Sequence, residues 1–249
     1  MFHYLIIFLF LSFVLYNSCL KSAIESFNEI SNVVIPYTVL PRQTAQTFQN
    51  IPRVIYQTYK TNSINKTLYK GVESWIKLNP TYRYEFYDNE RIEKFLLNEY
   101  DQKHVDRFKS IKVGASKSDY FRLLIIYKFG GVYADLDNKL EKPLDQIIKP
   151  NDTEILHRQA TNLFDTHMLM MSPNNPLLYD CIQVINKNID TRMKGTAIDV
   201  TGPKILRSII KKQKYIPKRE IRQNEYIDVV NIQDTDKKYV YWRNINYIF

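Results

Sequence analysis

At 249 residues, with 45% hydrophobic and 14% aromatic content, the chain is long enough to bury one sizeable core, and no repeat or low-complexity tract suggests a fibre or a disordered polymer. The formal net charge of +9 is densest at Lys211, Lys212, Lys214, Lys218, Arg219 and Arg222. That run fits a solvated basic face or an anionic surface; no zinc-finger spacing, RNA-binding aromatic motif or phosphate-cradling glycine loop accompanies it, so nucleic acid is not an expected partner. Two cysteines, Cys19 and Cys181, are too few for a disulfide framework or a cysteine zinc site.

Residues 1–20 come first, apolar from Phe2 to Leu20 apart from His3, Asn17, Ser18 and the tyrosines. At about 1.5 Å per residue this stretch approaches the ~30 Å of a bilayer's hydrocarbon, so it reads as a membrane anchor or a cleaved signal segment. Lys21 is the only close basic flank and gives no orientation. Residues 21–50, with Pro36 and Pro41 and no sustained periodicity, read as a stem, and residues 51–249 as one folded domain.

From Ile51 the pattern alternates strand and helix, predicting an α/β fold with a mixed, largely parallel central sheet. Arg53 to Thr58 reads as a strand, Lys66 to Lys77 as a helix, Tyr82 to Tyr87 as a strand, and Glu90 to Asn98 as a helix begun at the Asp88-Asn89 turn. Ligands of open α/β sheets sit beyond the carboxyl ends of strands, which makes Gln57, Thr58 and Asp88 candidate pocket edges.

The next helix is expected to be capped by Ser116, to pack Phe121, Leu124 and Ile125 inward, and to end at Gly130-Gly131. Asp119 and Arg122, three apart, share a face and read either as a surface ion pair or as an acceptor and cationic fork for one ligand. Val132-Tyr133-Ala134 then forms a short strand, and period two puts Asp135 and Asp137 on one side. Two carboxylates so placed suit a hard divalent cation, Mn²⁺ or Mg²⁺, whereas the four histidines are too scattered for zinc. Neighbours on one strand face do not flank a sugar from opposite sides, which sets aside the carboxylate pair of a glycosidase.

The runs A-S-K-S-D-Y-F-R (Ala115 to Arg122), Y-K-F-G-G-V-Y-A-D-L-D (Tyr127 to Asp137) and Lys142-Pro143-Leu144 together resemble the glycosyltransferase family with the DXD sugar-binding motif, family 32. That family groups initiating mannosyltransferases, α-1,4-sugar transferases and relatives of clostridial glucosylating toxins. Further matches are Ile51 to Thr58, Trp75 with Asn79-Pro80, Asp88, Ser172-Pro173 with Pro176, and Thr201-Gly202-Pro203. The resemblance implies a GT-A-like nucleotide-sugar-binding fold and a retaining transfer of a hexose from a nucleotide-diphosphate sugar to a carbohydrate, lipid or protein acceptor. By the same resemblance Asp119, Arg122, Asp135 and Asp137 are catalytic and Asp135 and Asp137 hold the metal. Gln57, Thr58, Asp119, Arg122, Tyr133 and Asp135 bind the donor, and Thr201, Gly202 and Pro203 lie on the acceptor side.

Two departures stand out. Tyr56 and Tyr59 replace the family's His and Trp around the first strand, and Lys237 to Trp242 keeps only the Trp of a closing His and Ser-Trp pair, leaving the third metal ligand unassigned. A weak or inactive partner subunit and a basic membrane-surface binding protein are the alternative readings. Two sequons, Asn65-Lys66-Thr67 and Asn151-Asp152-Thr153, fit a single-pass membrane protein with a lumenal domain. His157 and His167 bracket a segment in reach of the acceptor side, and Met168, Met170 and Met171 read as core.

Overall fold

The computed structural model describes residues 14–20, 32–159, 161–222, 226–229 and 248–249. Residues 14–20 form an exposed helix, α1; most of the apolar segment 1–20 lies outside the described residues. Among the described residues no helix is long and apolar enough to cross a membrane.

Part of the segment expected as a stem is built into the domain. β1 (Asn32–Val34) pairs antiparallel with β4 (Ser63–Asn65), and β2 (Thr38–Val39) pairs antiparallel with β5 (Arg83–Tyr87) at the edge of the main sheet. Ile35 is fully buried and Thr38 Oγ1 donates to the Glu85 carboxylate at 3.0 Å. Pairing partners some 30 to 50 residues away hold this chain in place, which local periodicity cannot reveal.

β3 (Val54–Thr58) lies near the middle of a seven-stranded sheet that also contains β6 (Gly131–Ala134), β8 (Glu154–Arg158), β9 (Phe164–Met171) and β10 (Glu220–Arg222), in the order β10-β8-β9-β6-β3-β5-β2. β10, β8, β6, β3 and β5 run one way, and β9 and β2 run against them. This is the mixed, largely parallel sheet the sequence predicts. The carboxyl ends of β3, β5, β6 and β8 therefore open on the same edge as the start of β9.

Helices cover both faces. On one side α2 (Lys66–Leu78), capped by Asn65 through Leu68 N at 2.8 Å, buries Leu68, Val72 and Trp75 against Val132 and Ala134 of β6. The Trp75 indole donates to the Asn138 carbonyl at 2.8 Å, fixing the chain just beyond β6, where β7 (Asn138–Leu140) begins. On the other side lie α3 (Asn89–Glu99) and α4 (Gln102–Ser110), capped by Asp88 and Asp101, then α5 (Gly114–Phe129). Ser116 and every residue from Asp119 to Ile126 are buried in α5, nine of its 16 residues. At about 1.5–3 kcal/mol for each large apolar side chain, this helix is a main source of core stability.

Ser116 does not cap α5. The helix starts two residues earlier at Gly114, its boundary residue Val113 supplies no side-chain cap, and Ser116 Oγ is buried without a partner among the described residues. Its end is as expected: Gly130 and Gly131 take φ of +65° and +104°, a region costly for residues with a Cβ. The remaining elements are α6 (Leu144–Ile147), α7 (Pro176–Asp190), α8 (Ala197–Val200), α9 (Pro203–Gln213) and β11 (Ile227–Val229), which pairs with β7. Met168, Met170 and Met171 are buried, and Cys181 is buried in α7.

Candidate active site

A cleft of about 550 Å³ opens at the carboxyl edge of the sheet. Asp119 and Arg122 reach it from α5, Asp135 and Asp137 from the exit of β6, Asp165 and His167 from β9, and Pro203 and Arg207 from α9. The four residues expected to be catalytic thus share one cavity.

The Asp-Leu-Asp segment is not one flat strand. β6 stops at Ala134, Leu136 and Asp137 form a turn, and the Asn138 N–H closes it on the Asp135 carbonyl at 3.0 Å. The turn, rather than strand alternation, delivers the second carboxylate. Asp135 is the fixed member: its N–H donates to the His167 carbonyl at 2.8 Å, and its carbonyl accepts from Gln57 Nε2 at 3.2 Å. Gln57 is itself oriented by the Tyr84 hydroxyl at 3.0 Å.

One carboxylate oxygen of Asp135 is fully committed. Tyr133 Oη and Arg122 Nη2 each donate to its Oδ1 at 2.8 Å. Arg122 is buried and shares its fork further, with Nη1 3.1 Å from Thr166 Oγ1 and 3.3 Å from Asp119 Oδ1, while its guanidinium lies 4.9 Å from the Tyr133 ring centroid. Asp119 Oδ2 accepts from Thr201 Oγ1 at 3.0 Å. Asp137, by contrast, has no side-chain partner for its carboxylate among the described residues.

Among the described residues that line the cleft, charge is unbalanced. Asp119, Asp135, Asp137 and Asp165 bring four negative charges against two positive ones from Arg122 and Arg207, a difference of minus two. Burial, opposed by Arg122 and the Tyr133 hydrogen bond, pushes the Asp135 carboxyl up to about 6. Burial and the neighbouring Asp135 charge push Asp137 to about 6 as well. Burial also raises Asp119 against the pull of Arg122. Half-buried carboxylates that outnumber the cations beside them, with hard oxygen donors and one unpinned member, fit a divalent cation of the Mg²⁺ or Mn²⁺ kind. Among the described residues no group of three or more His, Cys, Asp or Glu gathers into a complete metal site, and Lys237 to Trp242 lies outside them.

The other expected residues are placed differently. Tyr133 is fully buried and meets the cleft only through its hydroxyl on Asp135. Gln57 is buried beneath the turn, and Thr58 Oγ1 donates to the Tyr87 carbonyl at 2.7 Å; neither lines the cleft. Asp88 is tied to the Tyr37 hydroxyl and caps α3. Thr201 lies under Asp119, Gly202 packs on α8, and Pro203 alone of the three lines the cleft wall.

Asp165 and Arg207 line the cleft although no sequence motif marks them. Asp165 Oδ1 accepts from Thr166 N at 2.6 Å, and Arg207 Nε donates to the Phe164 carbonyl at 2.6 Å, so α9 clamps the start of β9. The signal was present in the polar residues that open an otherwise apolar strand. His167 Nε2 lies 2.7 Å from His157 Nδ1, and burial lowers both histidines, His157 to about 4. The pair is therefore neutral near pH 7.

A helix-covered mixed sheet with two aspartates in a turn at its carboxyl edge is the GT-A fold of glycosyltransferases. Residues 65–154 match the family described as the glycosyltransferase sugar-binding region containing the DXD motif. A mannosyl phosphorylinositol ceramide synthase of Saccharomyces cerevisiae is 38% identical over 101 residues, 41% of this chain and 27% of that protein. An uncharacterized glycosyltransferase of Acanthamoeba polyphaga mimivirus is 28% identical over 167 residues, 64% of each. The chain spans about a quarter of the length of the first of these relatives. Among solved structures, the PaToxG glycosyltransferase superposes with a TM-score of 0.50 at 19% identity, covering 66% of this chain and 70% of that one.

Proposed function

We propose that the chain is a metal-dependent, retaining glycosyltransferase that moves a hexose from a nucleotide-diphosphate sugar to a lipid, carbohydrate or protein acceptor. The hexose is mannose, the sugar in the names of several curated relatives. Supporting this most directly is the Asp135-Asp137 turn, one carboxylate pinned by Arg122 and Tyr133 and the other unpinned, in a cleft short of positive charge.

Asp135 and Asp137 hold Mn²⁺ or Mg²⁺, which when bound supplies Lewis-acid neutralisation of the departing diphosphate. Tyr133 and Arg122 orient Asp135 by occupying Oδ1, which leaves Oδ2 as the oxygen for a ligand. Arg122 is a positioning residue, because its fork is spent on Asp119, Thr166 and Asp135. Asp119, steadied by Thr201, presents its remaining acceptor capacity to hydroxyls of the donor. Pro203 and Arg207 bound the side on which an acceptor enters. The domain is held at a membrane through residues 1–20 and faces a lumen.

Incubating the full chain with UDP- and GDP-sugars tests this. Donor turnover should need Mn²⁺ or Mg²⁺ and vanish in excess chelator. Equal turnover with chelator removes the metal, and donor binding without turnover favours a partner subunit. No binding to any nucleotide sugar favours a basic membrane-surface protein.

A further inference from the structure

The fold treats the two sequons differently. Asn65 is half-buried; it sits opposite Asn32 in the β1–β4 pair, and its side-chain oxygen accepts from Leu68 N at 2.8 Å to cap α2. Asn151 stands exposed in the turn between α6 and β8. Its neighbours hold that turn without it: Asp152 accepts from Lys149 N at 2.7 Å and pairs with Arg219, and Thr153 Oγ1 accepts from Lys218 Nζ at 2.9 Å. Pro150 and Thr153 also lend their carbonyls, to Asn50 N at 3.0 Å and Ser172 N at 2.9 Å. These bonds hold the turn from both sides, and the Asn151 amide has no partner among the described residues.

Its position in the sheet is equally plain. β8 runs from this turn to Gln159 in the cleft wall, parallel to β6 with its Asp135 exit. At about 3.3 Å per residue, Asn151 therefore lies on the order of 20 Å from the cleft along the strand, at the opposite edge. A bulky group attached there clears the substrate route. Attached at Asn65, it would crowd the β1–β4 pair and the start of α2.

We infer that Asn151 is an N-glycosylation site and that Asn65 is left unmodified. The co-substrate is a lipid-linked oligosaccharide diphosphate. A bond forms between Asn151 Nδ2 and the sugar C1 as the C1–O bond to phosphate breaks; the amide loses a proton to a base, and the diphosphate leaves with the bonding electrons. This rests on the lumenal placement proposed above and is independent of the transfer chemistry.

The test is expression of the full chain in eukaryotic cells, followed by peptide N-glycosidase treatment, gel mobility and peptide mass spectrometry. One glycosidase-sensitive step is expected, lost in Asn151→Gln and Thr153→Ala, and retained in Thr153→Ser and Asn65→Gln. No step in the wild type, a step that survives Asn151→Gln, or a second step lost in Asn65→Gln overturns the assignment. Donor turnover measured on the same preparations separates the two readings. Active but unglycosylated protein sinks the glycan site alone, and glycosylated but inactive protein sinks the transferase alone. Asn151→Gln should retain wild-type turnover within about twofold.

Discussion

Arg122 and Asp135 meet at 2.8 Å across the cleft, Nη2 to Oδ1, and the Tyr133 hydroxyl reaches the same oxygen at the same distance. Two donors on one oxygen fix the carboxylate plane. Tyr133→Phe keeps the buried ring and deletes one of them, at about 1.5 kcal/mol or somewhat more for a hydrogen bond to a charged group. Donor kcat/KM should fall about tenfold, with the melting temperature lowered by only a few degrees. A loss below twofold would mean that Arg122 alone fixes Asp135.

Asp137 is half-buried beside Asp135, and among the described residues no side chain hydrogen-bonds its carboxylate. Asp137→Asn should cut metal-dependent turnover by at least about a hundredfold. It should not lower the melting temperature by more than about 2 °C, since the change removes an uncompensated charge. Thermal unfolding beside steady-state kinetics checks both halves. Full activity, or gross unfolding, would contradict the assignment.

The turn that launches β6 depends on Gly130. A Cβ there would lie 2.7 Å from Pro173 Cδ and 2.9 Å from the Met171 carbonyl, at a φ of +65°. Gly130→Ala should cost about 2–3 kcal/mol in urea unfolding. Gly114→Ala, where a Cβ meets nothing within 4 Å at the start of α5, should be neutral or slightly stabilising.

Acid stability should report the Arg107–Asp190 pair, which joins α4 to α7 through Nε–Oδ1 at 2.8 Å and Nη2–Oδ2 at 2.7 Å. The Arg107 hydrogen bonds hold the Asp190 carboxyl down at about 2, below its unfolded value near ~3.9. A depressed carboxyl contributes fully above the unfolded value and loses its contribution as pH falls through about 2. Asp190 is 38% exposed, so solvent screening limits the effect to ~1 kcal/mol or less. Urea midpoints of wild type and Asp190→Asn should differ at pH 6 and converge toward pH 2. A constant gap would show that packing, not charge, joins the helices.

Much of this was legible in the residues. The helix that ends at Phe129, the paired glycines and the two aspartates are local features, set by side-chain periodicity and by glycine's freedom at positive φ. The β1 and β2 pairings were not legible, since strands of two or three residues take their identity from partners far along the chain. Asp165 was missed for a similar reason, because β9 enters between β6 and β8 and only that insertion brings its polar start to the cleft.

By itself the sequence determined the fold class, the strands and helices between Arg53 and Ala134 apart from β4 and α4, and the presence of Asp119, Arg122, Asp135 and Asp137, because spacing and turn chemistry act over a few residues. Tertiary structure alone decided that Arg122 would be consumed within the protein and that Asp137 would arrive through a turn. Those outcomes depend on which groups distant elements bring within about 3 Å, where hydrogen bonds are made or lost.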